Sequence, residues 1–113
     1  MRYLLDTNIC IYLMQRHPPE VAARFAELGY GDVVISAITL AELRYGVECR
    51  PENRAAIEHA LEGLLADVPV MPFDEQAAVE YGVLRAAVRD RQRDALDRLI
   101  AAHARSLSLT LVT

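Results

Sequence analysis

The stretch RYLLDTNICIYLM, Arg2 to Met14, decides the architecture. Arg2 to Leu5 is short and mostly apolar, and it stops at a carboxylate, Asp6, and a polar pair, Thr7 and Asn8. Beyond Asn8 the apolar residues return at helical rather than alternating spacing. A strand that passes through an acidic turn straight into a helix is the opening of an α/β unit, with Asp6 at the strand's carboxyl end.

Outward from this segment the alternation continues. Val33 to Ile35, Val68 to Met71 and Leu109 to Val112 read as further strands: they are apolar, partly β-branched and bounded by turn or cap residues. Helical spacing or helix starts cover Asn8 to Gln15, Pro19 to Leu28, Thr39 to Glu48, Pro51 to Leu65, Asp74 to Val88 and Asp97 to Leu107. Pro19 and Pro51 suit first-turn positions. In the last helix Leu96, Leu99, Ile100, His103 and Leu107 form one stripe expected to face the core, with Arg98 and Arg105 projecting elsewhere. Four strands separated by helices predict a mostly parallel sheet covered on both faces, a three-layer α/β/α domain. No repeat or linker divides residues 1–113, so a single domain is expected.

Composition narrows the function classes. Hydrophobic residues make up 53% and charged residues 25% of 113, which excludes a disordered or low-complexity chain. The mean hydropathy is +0.12, yet no apolar run approaches the length of a membrane span, so the surplus is assigned to protein interfaces. Asp6 and Asn8 interrupt the N-terminal apolar stretch and no small-residue cleavage site follows, so no signal peptide is expected and the compartment is cytoplasmic. Cys10 and Cys49 lack CxxC spacing and read as small packed residues rather than zinc ligands or a disulfide framework. Twelve basic residues, all Arg, against sixteen acidic ones give a net charge of −4, so nucleic acid is not held by the overall field. Any such contact must come from local Arg clusters or bound metal, and guanidinium forks pair well with phosphate.

Three carboxylates stand out at the starts of elements distant in sequence. Asp6 follows the first strand; its bland role is an N-cap, which Thr7 or Asn8 would fill as well. Glu42 stands three residues after Thr39 in a capping-box pattern that explains it structurally. Asp97 opens the last helix, where a carboxylate suits the positive helix end. Brought together at one sheet edge, the three would repel and call for a divalent cation. Oxygen ligands suit Mg²⁺ or Mn²⁺ rather than Zn²⁺ and point to nuclease or phosphatase chemistry. There is no GxGxxG, P-loop or GxSxG element, and His17, His59 and His103 lack motif partners; His103 is expected to be packed or interfacial.

LLDTNICIYL near the start, ISAITLAELRYGVE in the middle and LDRLIAAHARSLSLTLVT at the end together resemble the PIN-domain ribonucleases, specifically the VapC toxins of bacterial toxin–antitoxin pairs. The motifs D-T-N, T-x-x-E-L-x-x-G and D-x-x-I-A-A-H-A followed by L-V-T occur in order over nearly the whole chain. The resemblance implies an endoribonuclease dependent on Mg²⁺ or Mn²⁺, with Asp6, Glu42 and Asp97 holding the metal, and Thr7 and Asn8 supporting Asp6 through hydrogen bonds. It implies a homodimer or a higher toxin–antitoxin oligomer, and a VapB antitoxin whose C-terminal segment lies in an apolar groove and reaches the metal site. D-T-N-I-C-I and A-H-A-R-S resemble the enteric branch, which implies cleavage in the anticodon loop of initiator tRNA. Arg44, Arg98 and Arg105 are the candidates for contacting unstacked RNA bases.

The chain also departs from the family. Members commonly continue past L-V-T with a fourth polar or acidic site residue and a final strand, which are expected to be missing after Thr113. Where the family has a Gly/Pro-containing loop before Asp97, this chain reads RDRQRDALD, with Arg93 and Asp94 replacing an apolar anchor and a Gly. That stretch favours helix, so the helix from Asp74 is expected to run on towards Asp97, and Asp94 competes with Asp97 for the metal. Two alternatives therefore stand beside the nuclease: a PIN-fold protein that dimerises and binds antitoxin without catalysis, and a phosphatase or phospho-acceptor domain with Asp6 as nucleophile. The absence of a second Asp at Asn8 and of any Lys weakens the latter.

Overall fold

A computed structural model describes residues 1–88 and 95–113. The described chain runs β1 (Tyr3–Leu5), α1 (Thr7–Gln15), α2 (Pro19–Ala26), β2 (Val33–Ser36), α3 (Ala37–Glu48), a 3₁₀ turn (Pro51–Asn53), α4 (Arg54–Asp67), β3 (Val70–Met71), α5 (Glu75–Ala87), α6 (Ala95–Ser106) and β4 (Thr110–Val112). The four strands form one parallel sheet in the order β3-β2-β1-β4. The predicted three-layer α/β/α architecture is the observed one.

Strand alternation builds two cores. Leu5, Val33 and Ile35 point to one face and pack with Ile9, Leu43, Val47, Leu61 and Leu64 from α1, α3 and α4. Leu4 and Val34 point to the other face and meet Ile100 and Ala104 of α6. Both faces are covered, so the central strands are apolar at successive positions, as buried parallel strands require.

The ends of elements follow local chemistry. Asp6 caps α1 by accepting from the Ile9 N–H, and Asp74 caps α5 by accepting from the Ala77 N–H. Arg16, in the left-handed conformation with φ of 56°, closes α1 and turns the chain towards α2. β3 is shorter than the apolar run from Val68 to Met71 suggests. Val68 is fully buried but belongs to the end of α4, where its N–H bonds the Leu64 carbonyl.

Two expectations about the last third need correction. The helix from Asp74 does not run on to Asp97: α5 ends at Ala87, and Val88 leaves helical geometry. α6 packs against α5 rather than continuing it from Val88. Arg105 pairs with Glu80 at 2.9 Å, and the His103 ring meets Phe73, just before α5, edge-on at 5.3 Å, so α6 packs on α5 and its start. Leu96, placed on the buried stripe by its spacing, is 38% exposed, whereas Ile100 and His103 on that stripe are buried.

Candidate active site

The carboxyl edge of the sheet collects the ends of all four strands. Leu5 pairs with Ile35, so the next residues, Asp6 and Ser36, stand side by side as the caps of α1 and α3. The Asp6 N–H bonds the Val112 carbonyl at 3.0 Å and ties the β1 end to β4. The position of Asp6 is thus fixed by its backbone bond to β4 on one side and the β1–β2 register on the other.

Asp6 uses Oδ1 to accept from the Ile9 N–H at 2.9 Å. Thr7, the next residue, donates its hydroxyl to Glu42 Oε1 at 2.6 Å. This single residue joins α1 to α3 and ties Glu42 to the position next to Asp6 in the chain. The second oxygen of each carboxylate accepts no hydrogen bond from the described residues.

The capping-box reading of Glu42 is overturned. The N-cap of α3 is Ser36, whose Oγ accepts from the Ile38 N–H at 3.0 Å, and Thr39 lies inside the first turn, fully buried. Glu42 therefore spends no bond on its own helix end, and its tie is to a residue thirty-five positions away. The expected support of Asp6 by Thr7 is likewise redirected, since the Thr7 hydroxyl goes to Glu42. Asn8 is exposed in the first turn of α1.

Asp97 lies in the first turn of α6 and is exposed. Because α6 feeds into β4 at the amino edge of the sheet, its N-terminal turn lies towards the carboxyl edge. Among the described residues no group of three His, Cys, Asp or Glu side chains lies close enough to hold a metal ion. The structure thus ties Glu42 to Thr7, next to Asp6, and among the described residues does not gather Asp6, Glu42 and Asp97 into one cluster. Asp94, the competitor for that position, and Arg93 lie outside the described residues.

The three arginines named from sequence differ in setting. Arg44 on α3 pairs with Glu58 of α4 at 3.5 Å, beside an Arg54 that holds both Glu48 and Glu58. Arg105 is held by Glu80, and Arg98 is half-buried on α6. Cys10, one helical turn after Asp6, is fully buried; burial and then the Asp6 charge push its thiol up to about 12. It packs, as its spacing suggested.

An apolar cavity of about 580 Å³ adjoins Asp6 between the β1–β4 edge, α1 and α2. Leu5, Ile9, Leu13, Phe25 and Val112 line it, and Arg2, Glu20 and Arg24 stand at its rim. Leu5, which precedes Asp6, and Val112, whose carbonyl accepts from the Asp6 N–H, belong to its walls, while Asp6 and Glu42 do not line it. A second feature that motif reading missed is His103, whose Nδ1 lies 2.8 Å from Ser36 Oγ. The one sequence signal for it was a histidine on an otherwise apolar helix stripe.

No described helix is long and apolar enough to cross a membrane. Residues 3–113 match the PIN domain family. The chain is 38% identical to the tRNA(fMet)-specific endonuclease VapC of Shigella flexneri over 117 aligned positions, covering all of this chain and 86% of that protein. Ribonuclease VapC2 of Haemophilus influenzae is 36% identical with the same coverage. In three dimensions the chain superposes on VapBC2 from Rickettsia felis, crystallised on a promoter DNA fragment, with a TM-score of 0.90 at 33% identity. It superposes on DNA-bound VapBC from Salmonella typhimurium with a TM-score of 0.89 at 35% identity; both matches cover all of this chain and 86% of the other. With the family match over residues 3–113 and relatives aligned over all of this chain, this protein belongs to the PIN-domain family, among the VapC proteins.

Proposed function

We propose that the chain is an endoribonuclease toxin that cuts single-stranded RNA with Mg²⁺ or Mn²⁺ bound at Asp6, Glu42 and Asp97. The observation that carries this reading is the Thr7 bridge, which ties Glu42 to the residue following Asp6 at the sheet's carboxyl edge, each carboxylate keeping one oxygen uncommitted among the described residues. The donors fit the ion: Mg²⁺ is commonly held by one or two carboxylates, with water and substrate phosphate completing an octahedral shell. When bound, such an ion stabilises charge on the phosphodiester and lowers the pKa of water.

The protein's own residues do the rest. Asp6 is oriented by the Ile9 amide and by the Asp6–Val112 backbone bond, so its free oxygen is aimed without side-chain freedom. Thr7 orients Glu42 in the same way by donating to one oxygen and leaving the other. Asp97 approaches from the first turn of α6. Arg44, Arg98 and Arg105 are the arginines proposed to contact the RNA, with Arg44 and Arg105 held in place by Glu58 and Glu80.

A tRNA anticodon loop is the proposed substrate: the Shigella relative is named for tRNA(fMet), and unstacked loop bases are what sequence-specific RNA readers contact. The apolar cavity next to Asp6 is the proposed seat of a VapB-type antitoxin segment, consistent with the VapBC complexes this fold superposes on. Val79 and Val83, one turn apart on α5 and 54% and 53% exposed, are the proposed homodimer face.

The test is incubation of the purified chain and Asp6→Asn with labelled total tRNA and Mg²⁺ or Mn²⁺, resolved on a denaturing gel. Metal-dependent cleavage lost in the variant supports the toxin. The lack of a three-carboxylate cluster among the described residues favours one other reading, a fold that binds antitoxin without catalysis. Antitoxin binding with no cleavage by folded wild-type protein would establish that reading instead.

A further inference from the structure

Three polar residues are buried among the described residues, Ser36, Thr39 and His103. Two of them partner each other: Ser36 Oγ lies 2.8 Å from His103 Nδ1 and also accepts from the Ile38 N–H at 3.0 Å. Thr39, in the first turn of α3, is 0% exposed, and its Oγ1 has no hydrogen-bond partner among the described residues. A threonine inside a helix often turns its hydroxyl onto the carbonyl three or four residues back, and this one does not. Leaving a buried hydroxyl unpaired opposes folding, and a valine of the same shape carries no such cost. A polar group that the fold pays for and does not use points to a use beyond the fold.

Two contacts to the β1–α1 turn bracket this hydroxyl. The register that pairs Leu5 with Ile35 sets Ser36, the cap of α3, beside Asp6. Further along α3, Glu42 accepts the Thr7 hydroxyl at 2.6 Å. Thr39 stands midway, three residues from each, and helix side chains at that spacing are neighbours about 5–6 Å apart between Cβ atoms. The row Ser36, Thr39, Glu42 thus runs from the neighbour of Asp6 to the partner of Thr7, with the unpaired hydroxyl in its middle. Oγ1 bonds neither carboxylate directly, and polar groups set that far apart are joined through water.

We propose that Thr39 is a positioning residue of the candidate site, whose hydroxyl is kept for the loaded state and holds a water of the cation's coordination shell. This rests on the metal-dependent ribonuclease reading of the same site. A small divalent cation held by one or two carboxylates keeps several waters, and each needs acceptors for its protons. The uncommitted oxygens of Asp6 and Glu42 are the cation's ligands in that reading, so a further acceptor has to come from another group. Thr39 Oγ1 offers its lone pairs, and β-branching with full burial restricts where it offers them. Being neutral, it adds an acceptor without adding to the repulsion among carboxylates in the empty site. The same role accounts for the Thr39-x-x-Glu42 spacing, which forms no capping box here because Ser36 is the cap.

The experiment compares the full chain with Thr39→Val, which keeps the shape and removes the hydroxyl, and Thr39→Ser, which keeps the hydroxyl and removes a methyl group. Stability is read as the urea midpoint in metal-free buffer, Mn²⁺ affinity by calorimetry, and cleavage of labelled tRNA on a denaturing gel. We expect Thr39→Val to match or exceed the wild-type midpoint and to bind Mn²⁺ about 10-fold more weakly, as loss of a group that orients a metal's surroundings does. We expect Thr39→Ser to show the reverse, a lower midpoint from the lost methyl group with Mn²⁺ affinity within a few-fold of wild type. A hydroxyl with a structural role alone would lower the Thr39→Val midpoint and leave Mn²⁺ affinity unchanged. Either of those two results overturns the proposal by itself, and so does a Thr39→Val chain that does not fold. A wild-type chain that binds Mn²⁺ without cutting tRNA overturns the ribonuclease reading, and the affinities of the two variants still decide the role of Thr39. A folded wild-type chain that binds no Mn²⁺ overturns both.

Discussion

Thr7 Oγ1 and Glu42 Oε1 lie 2.6 Å apart across a separation of thirty-five residues. Short, charge-assisted and partly buried, this bond makes a β1–α1 turn and the middle of α3 into one piece. It accounts for a glutamate that its own helix does not need, and it places the two carboxylates of the candidate site in fixed relation before any ligand arrives.

The two roles of Asp6 are separable. Asn caps a helix as well as Asp does, so Asp6→Asn is expected to keep the stability of the chain and lose cleavage by about 100-fold or more, whereas Asp6→Ala loses about 1 kcal/mol as well. Urea unfolding alongside the tRNA cleavage gel distinguishes them. An Asp6→Asn chain as active as wild type would confine Asp6 to capping.

Thr7→Val keeps shape and removes the hydroxyl. Glu42 then loses its orienting donor, and Mn²⁺ affinity measured by calorimetry is expected to fall about 10-fold. Stability falls by about 1 kcal/mol, because the bond is only partly buried. Unchanged affinity would mean that Thr7 is a structural tie alone.

His103 makes folding itself depend on pH. Its folded form holds the proton less tightly than the unfolded chain, so between the unfolded value near 6.5 and the lower folded value the unfolded state binds more protons. Stability is complete above about pH 6.5 and declines as the pH falls from there. Urea midpoints for wild type and His103→Gln are expected to diverge below that pH, with wild type losing more. Midpoints that fall in parallel would assign the acid sensitivity to the carboxylates.

The two thiols should separate cleanly. Cys49 is exposed and Cys10 is fully buried with its thiol pushed up to about 12. An aromatic disulfide reagent at pH 8 is expected to modify one thiol rapidly in the native chain and the second only on unfolding. Fast modification of both would show that α1 opens from the core.

Much of the fold was legible because its signals are local. The apolar runs at Arg2–Leu5 and Val33–Ile35, the acidic caps Asp6 and Asp74, and the helical spacing of the segments between them act within a few residues, and the observed elements begin and end near where these signals lie. Where local signals misled, packing had the larger effect. α5 stops at Ala87, where Val88 leaves helical geometry, and α6 packs on it; Leu96 is 38% exposed, whereas Ile100 on the same stripe is buried against Leu4 and Val34.

The sequence by itself determined the α/β/α architecture, the family and the three carboxylates worth examining, since periodicity, capping chemistry and motif order are properties of neighbouring residues. Only the tertiary structure decided what those carboxylates touch. Glu42 had a sufficient local explanation in Thr39 and found its partner in Thr7 instead; His103 was one more residue on an apolar stripe until β2 delivered Ser36 to it across sixty-seven residues. Hydrogen bonds of that range depend on how strands and helices stack in three dimensions, and the energy that chooses among them is the burial of two separate cores on the two faces of one sheet.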